Sequence, residues 1–296
     1  MIILRVRGGL GNQLFQYAAG KSLALHHHTS FKLDLYFYST HRNRKFELKN
    51  FNIPIELASR DEVHEFTGRN PVERFLHKRE NYLRCPSVFA QPHYHFYSDY
   101  FGLPDHLYLS GYFQSEKYFK QIVAEIRNWY TTTKPLDSVN TKLSEEMASM
   151  DSVAVHVRRG DYTNQYASFF GTVPDAYYQK AIKEIQSRIT NPKFFIFSDD
   201  IAWARKNLML DHAVFVEHNQ GDDSFKDLLL MSRCKHNIIA NSTFSWWGAW
   251  LNRNPDKVVI APQVWFRESY YEGKVPVYPT RIYNTKDLIP EEWIRL

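Results

Sequence analysis

Five short runs of β-branched and aromatic residues recur through the second half of this chain, each parted from the next by a helix-length segment. They fall at residues 153–157, 194–197, 213–216, 237–240 and 258–260. Continuous apolar strands this short are covered on both faces, and strands that alternate with helices build parallel sheets. The spacing predicts helices at about 175–189, 201–208, 222–234 and 244–251. The second half is therefore expected to be a Rossmann-like unit, with ligands at the carboxyl ends of its strands.

The first half opens in the same way. Residues 2–6 read as a strand, 7–11 as a glycine turn, and 12–26 as a helix with Leu14, Tyr17, Ala18 and Leu25 at helical spacing. A second strand is expected near 31–35. Residues 36–105 mix aromatics, charges and prolines without clear period. A strand at 107–109 follows, then a helix over 116–129 with Phe119, Ile122, Val123 and Ile126 on one face. The polar run Thr131-Thr132-Thr133-Lys134-Pro135 breaks that helix. It is the expected boundary between a domain at 1–135 and one at 136–296, which a short helix near 138–150 opens.

A chain of 296 residues is long enough for two such domains. Its net charge of +5 favours anionic ligands. No long basic run interleaved with aromatics points to nucleic acid. Cys85 and Cys234 stand in different halves, so neither a disulfide framework nor zinc spacing is visible. Consecutive His26, His27 and His28 are not spaced to face one ion, and His93 and His95 have no evident third ligand. The N-terminal apolar run is too short for a signal peptide, and no stretch of about 20 apolar residues occurs. The expectation is a cytoplasmic protein, at most peripheral to the inner membrane.

Four segments at strand ends carry the chemistry. Arg7-Gly8-Gly9-Leu10-Gly11-Asn12-Gln13 allows a tight turn and a helix start that offers N–H groups to an anion. As a dinucleotide fingerprint it breaks, because Leu14 stands where a third glycine would fall, and no P-loop lysine follows. This argues against a nicotinamide-dependent dehydrogenase. His156-Val157-Arg158-Arg159-Gly160-Asp161-Tyr162 ends a buried strand in two guanidiniums. Adjacent arginines there are costly unless an anion meets them, and their forked donors match phosphate oxygens. Phe197-Ser198-Asp199-Asp200 ends a strand in two carboxylates, suited to a metal, to ribose hydroxyls, to a guanine edge or to capping the next helix. Asn241-Ser242-Thr243-Phe244-Ser245 opens an aromatic helix whose hydroxyls satisfy orphan N–H groups or share them with a phosphate. Trp246, Trp247 and Trp250 read as core anchors of that helix. Together these segments describe a nucleoside diphosphate site. A non-catalytic sugar-binding protein would leave the arginines idle.

In this order, the segments Gly8–Tyr17, Gly111–Phe119, His156–Tyr162, Phe197–Asp200 and Asn241–Trp247 resemble the bacterial α-1,2-fucosyltransferases of glycosyltransferase family 11. The His-x-Arg-Arg-x-Asp element is shared with α-1,6- and protein O-fucosyltransferases. The glycine turn and the Asn-Ser-Thr-Phe-Ser-Trp-Trp run narrow the likeness to family 11.

The resemblance implies a GT-B-like α/β architecture, two Rossmann-like domains facing across a cleft. The second would hold GDP-β-L-fucose and the first the acceptor. It implies inverting transfer of fucose to the 2-hydroxyl of a terminal galactose in surface polysaccharide (O-antigen) biosynthesis. A lipid-linked precursor is among the candidate glycans. Another fucosyl linkage or another GDP-sugar is the nearest rival.

The catalytic candidates are Arg158, Asp161 and Asn12. Arg158 is expected to clamp the β-phosphate, with backbone N–H groups and hydroxyls of Ser242, Thr243 and Ser245; Asn241 and Phe244 complete the donor set. His156 and Asp199 or Asp200 are expected at the ribose and guanine. Arg159 is expected to be structural, paired with Asp161. Asp161 itself either takes the acceptor proton or orients an arginine. Asn12 sits where a hydrogen bond to acceptor or fucose is expected. Gly11, Gln13, Tyr112 and Gln114 form the acceptor-side set. No metal and no cofactor are expected.

Overall fold

The computed structural model describes residues 1–41, 43–68, 87–163, 171–266 and 284–296, without the side chains of Asp161 and Tyr162. The chain divides into two compact units. One comprises Met1–Thr133 and residues 284–288; the other begins at Lys134 and is completed by Ile289–Leu296.

The first unit runs β1 (Ile2–Arg5), α1 (Leu10–His26), β2 (Phe31–Asp34), α2 (Tyr36–Thr40), α3 (Arg60–Thr67), β3 (Val88–Ala90), β4 (Leu107–Ser110) and α4 (Val123–Trp129). Its described strands form a parallel sheet in the order β2-β1-β4-β3. Ile2, Ile3 and Leu4 are wholly buried, as a strand covered on both faces requires. Helix α1 is buried along most of its length, which explains its weakly amphipathic, small-residue-rich sequence.

The expected helix over 116–129 is not continuous. Two 3₁₀ turns, Glu116–Tyr118 and Lys120–Ile122, precede α4. The backbone leaves helical geometry at Phe119 (φ −140°), between the two turns, where Tyr118 and Phe119 are both fully buried. The unparsed stretch 36–105 contains α2, α3 and β3 among its described residues.

The second unit runs α5 (Ser138–Ser149), β5 (Ser152–Val157), α6 (Gly160–Thr163), α7 (Asp175–Arg188), β6 (Lys193–Ser198), α8 (Ile201–Asn207), β7 (Val214–Val216), α9 (Phe225–Arg233), β8 (His236–Ile238), α10 (Thr243–Leu251), β9 (Val259–Ala261) and β10 (Ile294–Arg295). All its described strand pairs are parallel, in the order β10-β9-β8-β5-β6-β7. The sheet has one strand more than expected, because the C-terminal β10 adds beside β9. The helix expected from Asp222 begins instead as a 3₁₀ turn, Gly221–Asp223, and becomes α-helical at Phe225.

Val153, Val155, Val157, Ile196, Ile238 and Ile260 pack into one core with Tyr177, Tyr178, Ala181, Ile182 and Ile185 of α7. Trp246, Trp247 and Trp250 anchor α10. Trp246 lies 5.0 Å from Trp247 between ring centroids and 5.5 Å from Trp293 of the C-terminal segment. Cys234 is a buried free thiol, and Cys85 lies outside the described residues. No helix among the described residues is long and apolar enough to cross a membrane.

Candidate active site

In the second unit β5 comes first in sequence, yet β6 and β7 lie on one side of it and β8, β9 and β10 on the other. The order reverses between β5 and β8, and ligands of doubly wound sheets bind outside the strand ends at such a point. Here β5 delivers His156, Arg158 and Arg159, while β8 leads into Asn241, Ser242 and the first turn of α10. The rings of His156 and Phe244, 5.8 Å apart, join the two ends.

The neighbouring strand β6 supplies the carboxylates. Its register with β5 pairs His156 with Phe197 and Val157 with Ser198. One step further Arg158 Nη1 meets Asp199 Oδ2 at 2.9 Å, and two steps further Arg159 Nε meets Asp200 Oδ2 at 3.3 Å. The ion pairs thus continue the strand register past the last ladder bond. Asp200 is thus a partner of Arg159 that the sequence did not suggest; the expected pairing with Asp161, a residue of α6, falls on a side chain outside the described residues. Asp199 Oδ1 also accepts the backbone N–H of Arg159 at 2.8 Å. Asp200 caps α8 by accepting from the Trp203 N–H at 3.1 Å. The Arg159 guanidinium lies over the Trp203 ring, 4.3 Å from its centroid. Trp203 is a site residue the sequence did not single out, although its place three residues into the helix capped by Asp200 was legible.

His156 is buried, and its Nδ1 has no hydrogen-bond partner among the described residues. Burial first, and the Arg158 charge second, push its pKa down to about 3, so the imidazole is neutral at pH 7. An orphan polar atom in such a place costs free energy unless a ligand completes it.

On the other side of the switch point, Ser242 caps α10 by accepting from the Phe244 N–H at 3.3 Å. Ser245 is fully buried and donates to the Ser242 carbonyl at 3.2 Å. Asn241 is buried too, and its Nδ2 donates to the carbonyls of Gly171 (3.2 Å) and Trp265 (3.1 Å). The side chain of Asn241 therefore ties two loops to the strand end. Thr243 and Phe244 are half-buried at the first turn of the helix, whose N-terminal dipole favours negative charge.

In the first unit the glycine turn leads directly into α1. Gly8 takes φ +82°, the left-handed region that glycine enters without strain, and Gly9 stands at the helix N-cap with no side-chain cap. Gln114 Nε2 donates to Asn12 Oδ1 at 2.8 Å, which joins the end of β4 to the start of α1. Gly11 is buried in the first turn. Tyr112 is half-buried, with the Arg7 guanidinium 4.5 Å from its ring centroid and Tyr94 stacked at 6.1 Å.

Gln13 is fully buried. Its Nε2 donates to the carbonyls of Gly8 (3.1 Å) and Lys45 (2.8 Å), and its Oε1 accepts the Glu47 N–H at 2.9 Å. Two glutamines not anticipated from the sequence shape the same region. Gln16 exchanges two hydrogen bonds with the Arg7 backbone, and Gln91 Oε1 accepts the N–H groups of Tyr112 and Phe113. Among the described residues, no group of three or more His, Cys, Asp or Glu side chains is placed to hold a metal ion.

Comparison with known proteins accords with this picture. The family model for glycosyl transferase family 11 matches residues 89–278. An α-1,2-colitosyltransferase of Escherichia coli is 32% identical over 100% of this chain and 99% of its own length. The O-antigen biosynthesis glycosyltransferase WbnK of the same species is 34% identical over 88% of this chain and 93% of its own. Among solved structures, the NodZ α-1,6-fucosyltransferase soaked with GDP-fucose superposes with a TM-score of 0.51 at 16% identity, over 84% of this chain and 92% of that one. The likeness to NodZ speaks for the fold: an α/β chain of the GT-B kind with parallel sheets.

Proposed function

We propose that this chain, which belongs to glycosyltransferase family 11, moves L-fucose from GDP-β-L-fucose to the 2-hydroxyl of a terminal galactose, with inversion at the anomeric carbon. The observation that carries the reading is the meeting of Arg158, the orphan Nδ1 of His156 and the start of α10 at the β5/β8 switch point. Glycosyl transfer passes through an oxocarbenium-like state, while negative charge grows on the departing diphosphate. Fixed donors aimed at that charge lower the barrier because they need no reorganisation as it forms. Arg158 supplies a fork of donors and α10 supplies the positive end of a dipole. Neutral His156 offers its Nδ1 to the nucleoside.

The first unit holds the acceptor, with Asn12, Tyr112 and Gln114 at its glycine turn. Asp161 is the group proposed to take the acceptor proton. The name of the WbnK relative supports a role in O-antigen-type glycan synthesis. We place the reaction on the cytoplasmic side, with at most peripheral membrane contact and a lipid-linked acceptor.

The relative named α-1,2-colitosyltransferase favours a second reading, the same linkage with colitose as the sugar transferred. The fold shared with NodZ, soaked with GDP-fucose, supports fucose. Incubation with GDP-fucose or GDP-colitose and a panel of β-galactosides, with the linkage read by NMR, decides between them. Fucose at the galactose 2-position is the expected product. Colitose alone at that position establishes the second reading, and no transfer from either donor refutes both.

A further inference from the structure

Arg158 and Arg159 bring two positive charges to the end of β5, and Asp199 and Asp200 meet them with two negative ones. These four side chains are formally neutral together. A diphosphate therefore gains little from their summed charge; what it can gain is a guanidinium already held in place.

Asp199 divides its two oxygens between two tasks. Oδ1 accepts the backbone N–H of Arg159 at 2.8 Å, and Oδ2 faces Arg158 Nη1 at 2.9 Å. One carboxylate thus ties the Arg158 side chain to the backbone one residue on. Gly160 leaves the room for this: a Cβ there would stand 2.8 Å from Asp199 Oδ2 and 3.2 Å from its Cγ. The Arg158 and Asp199 side chains are 29% and 25% exposed, and an ion pair so open to water adds little stability. Its consequence is orientation. Asp200 acts separately, since it caps α8 and faces Arg159.

We propose that Asp199 is the positioning residue for Arg158 and does not itself touch the nucleobase or the ribose. The proposal rests on the reading of the β5/β8 switch point as a GDP-sugar site. It assigns Asp199 to the diphosphate end of the ligand, acting through Arg158.

The test is calorimetric titration of the full chain with GDP, IDP and 2′-deoxy-GDP. IDP lacks the 2-amino group of guanine, and the deoxy compound lacks one ribose hydroxyl. Asp199→Asn keeps an oxygen for the Arg159 N–H and loses the charge that holds Arg158. Its affinity for all three ligands should fall by about tenfold, the worth of one charge-assisted hydrogen bond. The ratios among the three should stay at their wild-type values. Gly160→Ala, which crowds Asp199 without removing it, should do the same, and so guards against an Asp199→Asn protein that fails to fold. Combined with Arg158→Lys, Asp199→Asn should add less than its effect alone. A change in the GDP/IDP or GDP/2′-deoxy-GDP ratio would overturn the proposal, because Asp199 would then touch base or ribose. Full additivity with Arg158→Lys would overturn it as well. Wild-type protein that binds none of the three would instead bring down the GDP-sugar reading itself, an outcome recognised without any variant.

Discussion

His156 and Phe244 hold their rings 5.8 Å apart at 40°, so the end of β5 and the first turn of α10 meet through an imidazole that burial keeps neutral. This relationship has a pH consequence. The unfolded chain takes up a proton on this histidine near pH 6.5, whereas the folded one does so only near pH 3. The folded-state pKa is lowered, so the stability that His156 contributes is fully present above about pH 6.5 and is lost as the pH falls from there towards 3. The slope is roughly 1.4 kcal/mol per pH unit. Urea denaturation between pH 7 and pH 5 should show a shallower loss of stability in His156→Asn than in wild type. Equal slopes would place the histidine in contact with water.

Arg158 should be intolerant of even the conservative change. Lysine retains the charge but not the planar fork. Arg158→Ala should lower kcat at saturating donor by about 100- to 1,000-fold, and Arg158→Lys should recover only a small part of that loss. Near-wild-type turnover in either variant would remove Arg158 from the transition state.

Gln13 should matter for stability rather than for acceptor affinity. Its buried carboxamide serves the Gly8 and Lys45 carbonyls and the Glu47 N–H. Gln13→Leu removes three buried hydrogen bonds to the backbone and should cost about 2 kcal/mol or more in chemical denaturation. An unchanged denaturation midpoint with a raised acceptor KM would show that the side chain reaches the sugar after all.

We further propose that directed donors of the Arg158 guanidinium and the α10 start stabilise the leaving diphosphate without a metal ion. Turnover in excess EDTA should then equal that in untreated enzyme. Loss of activity restored by Mn²⁺ would favour a carboxylate–metal scheme through Asp199 and Asp200.

The parallel-sheet character of the second unit was legible because each strand is a continuous apolar run and each helix carries its own period. The strand ends bearing His156, Arg158, Asn241 and Ser242 were legible for the same reason. The partners of the two arginines were not, since they follow from the β5–β6 register, in which Val157 lies opposite Ser198. Aligning the expected strand ends, Val157 with Phe197, would have set Arg158 opposite Ser198 and Arg159 opposite Asp199, one residue out of register.

In the first unit α3 announces itself by a capping box, Ser59 with Glu62, which the dense mixture of aromatics and charges around it obscured. Strand β3 is three residues long, below what alternation can reveal. The break at Phe119 was hidden because the helical spacing of Phe119, Ile122, Val123 and Ile126 runs on across it.

A crystal structure of the protein with GDP would show where the diphosphate binds. The diphosphate should lie at the β5/β8 strand ends, within hydrogen-bond distance of the Arg158 guanidinium and beside the first turn of α10. A diphosphate seated at the glycine turn of the first unit, or an Arg158 side chain directed away from it, would rule out the β5/β8 strand ends as the donor site.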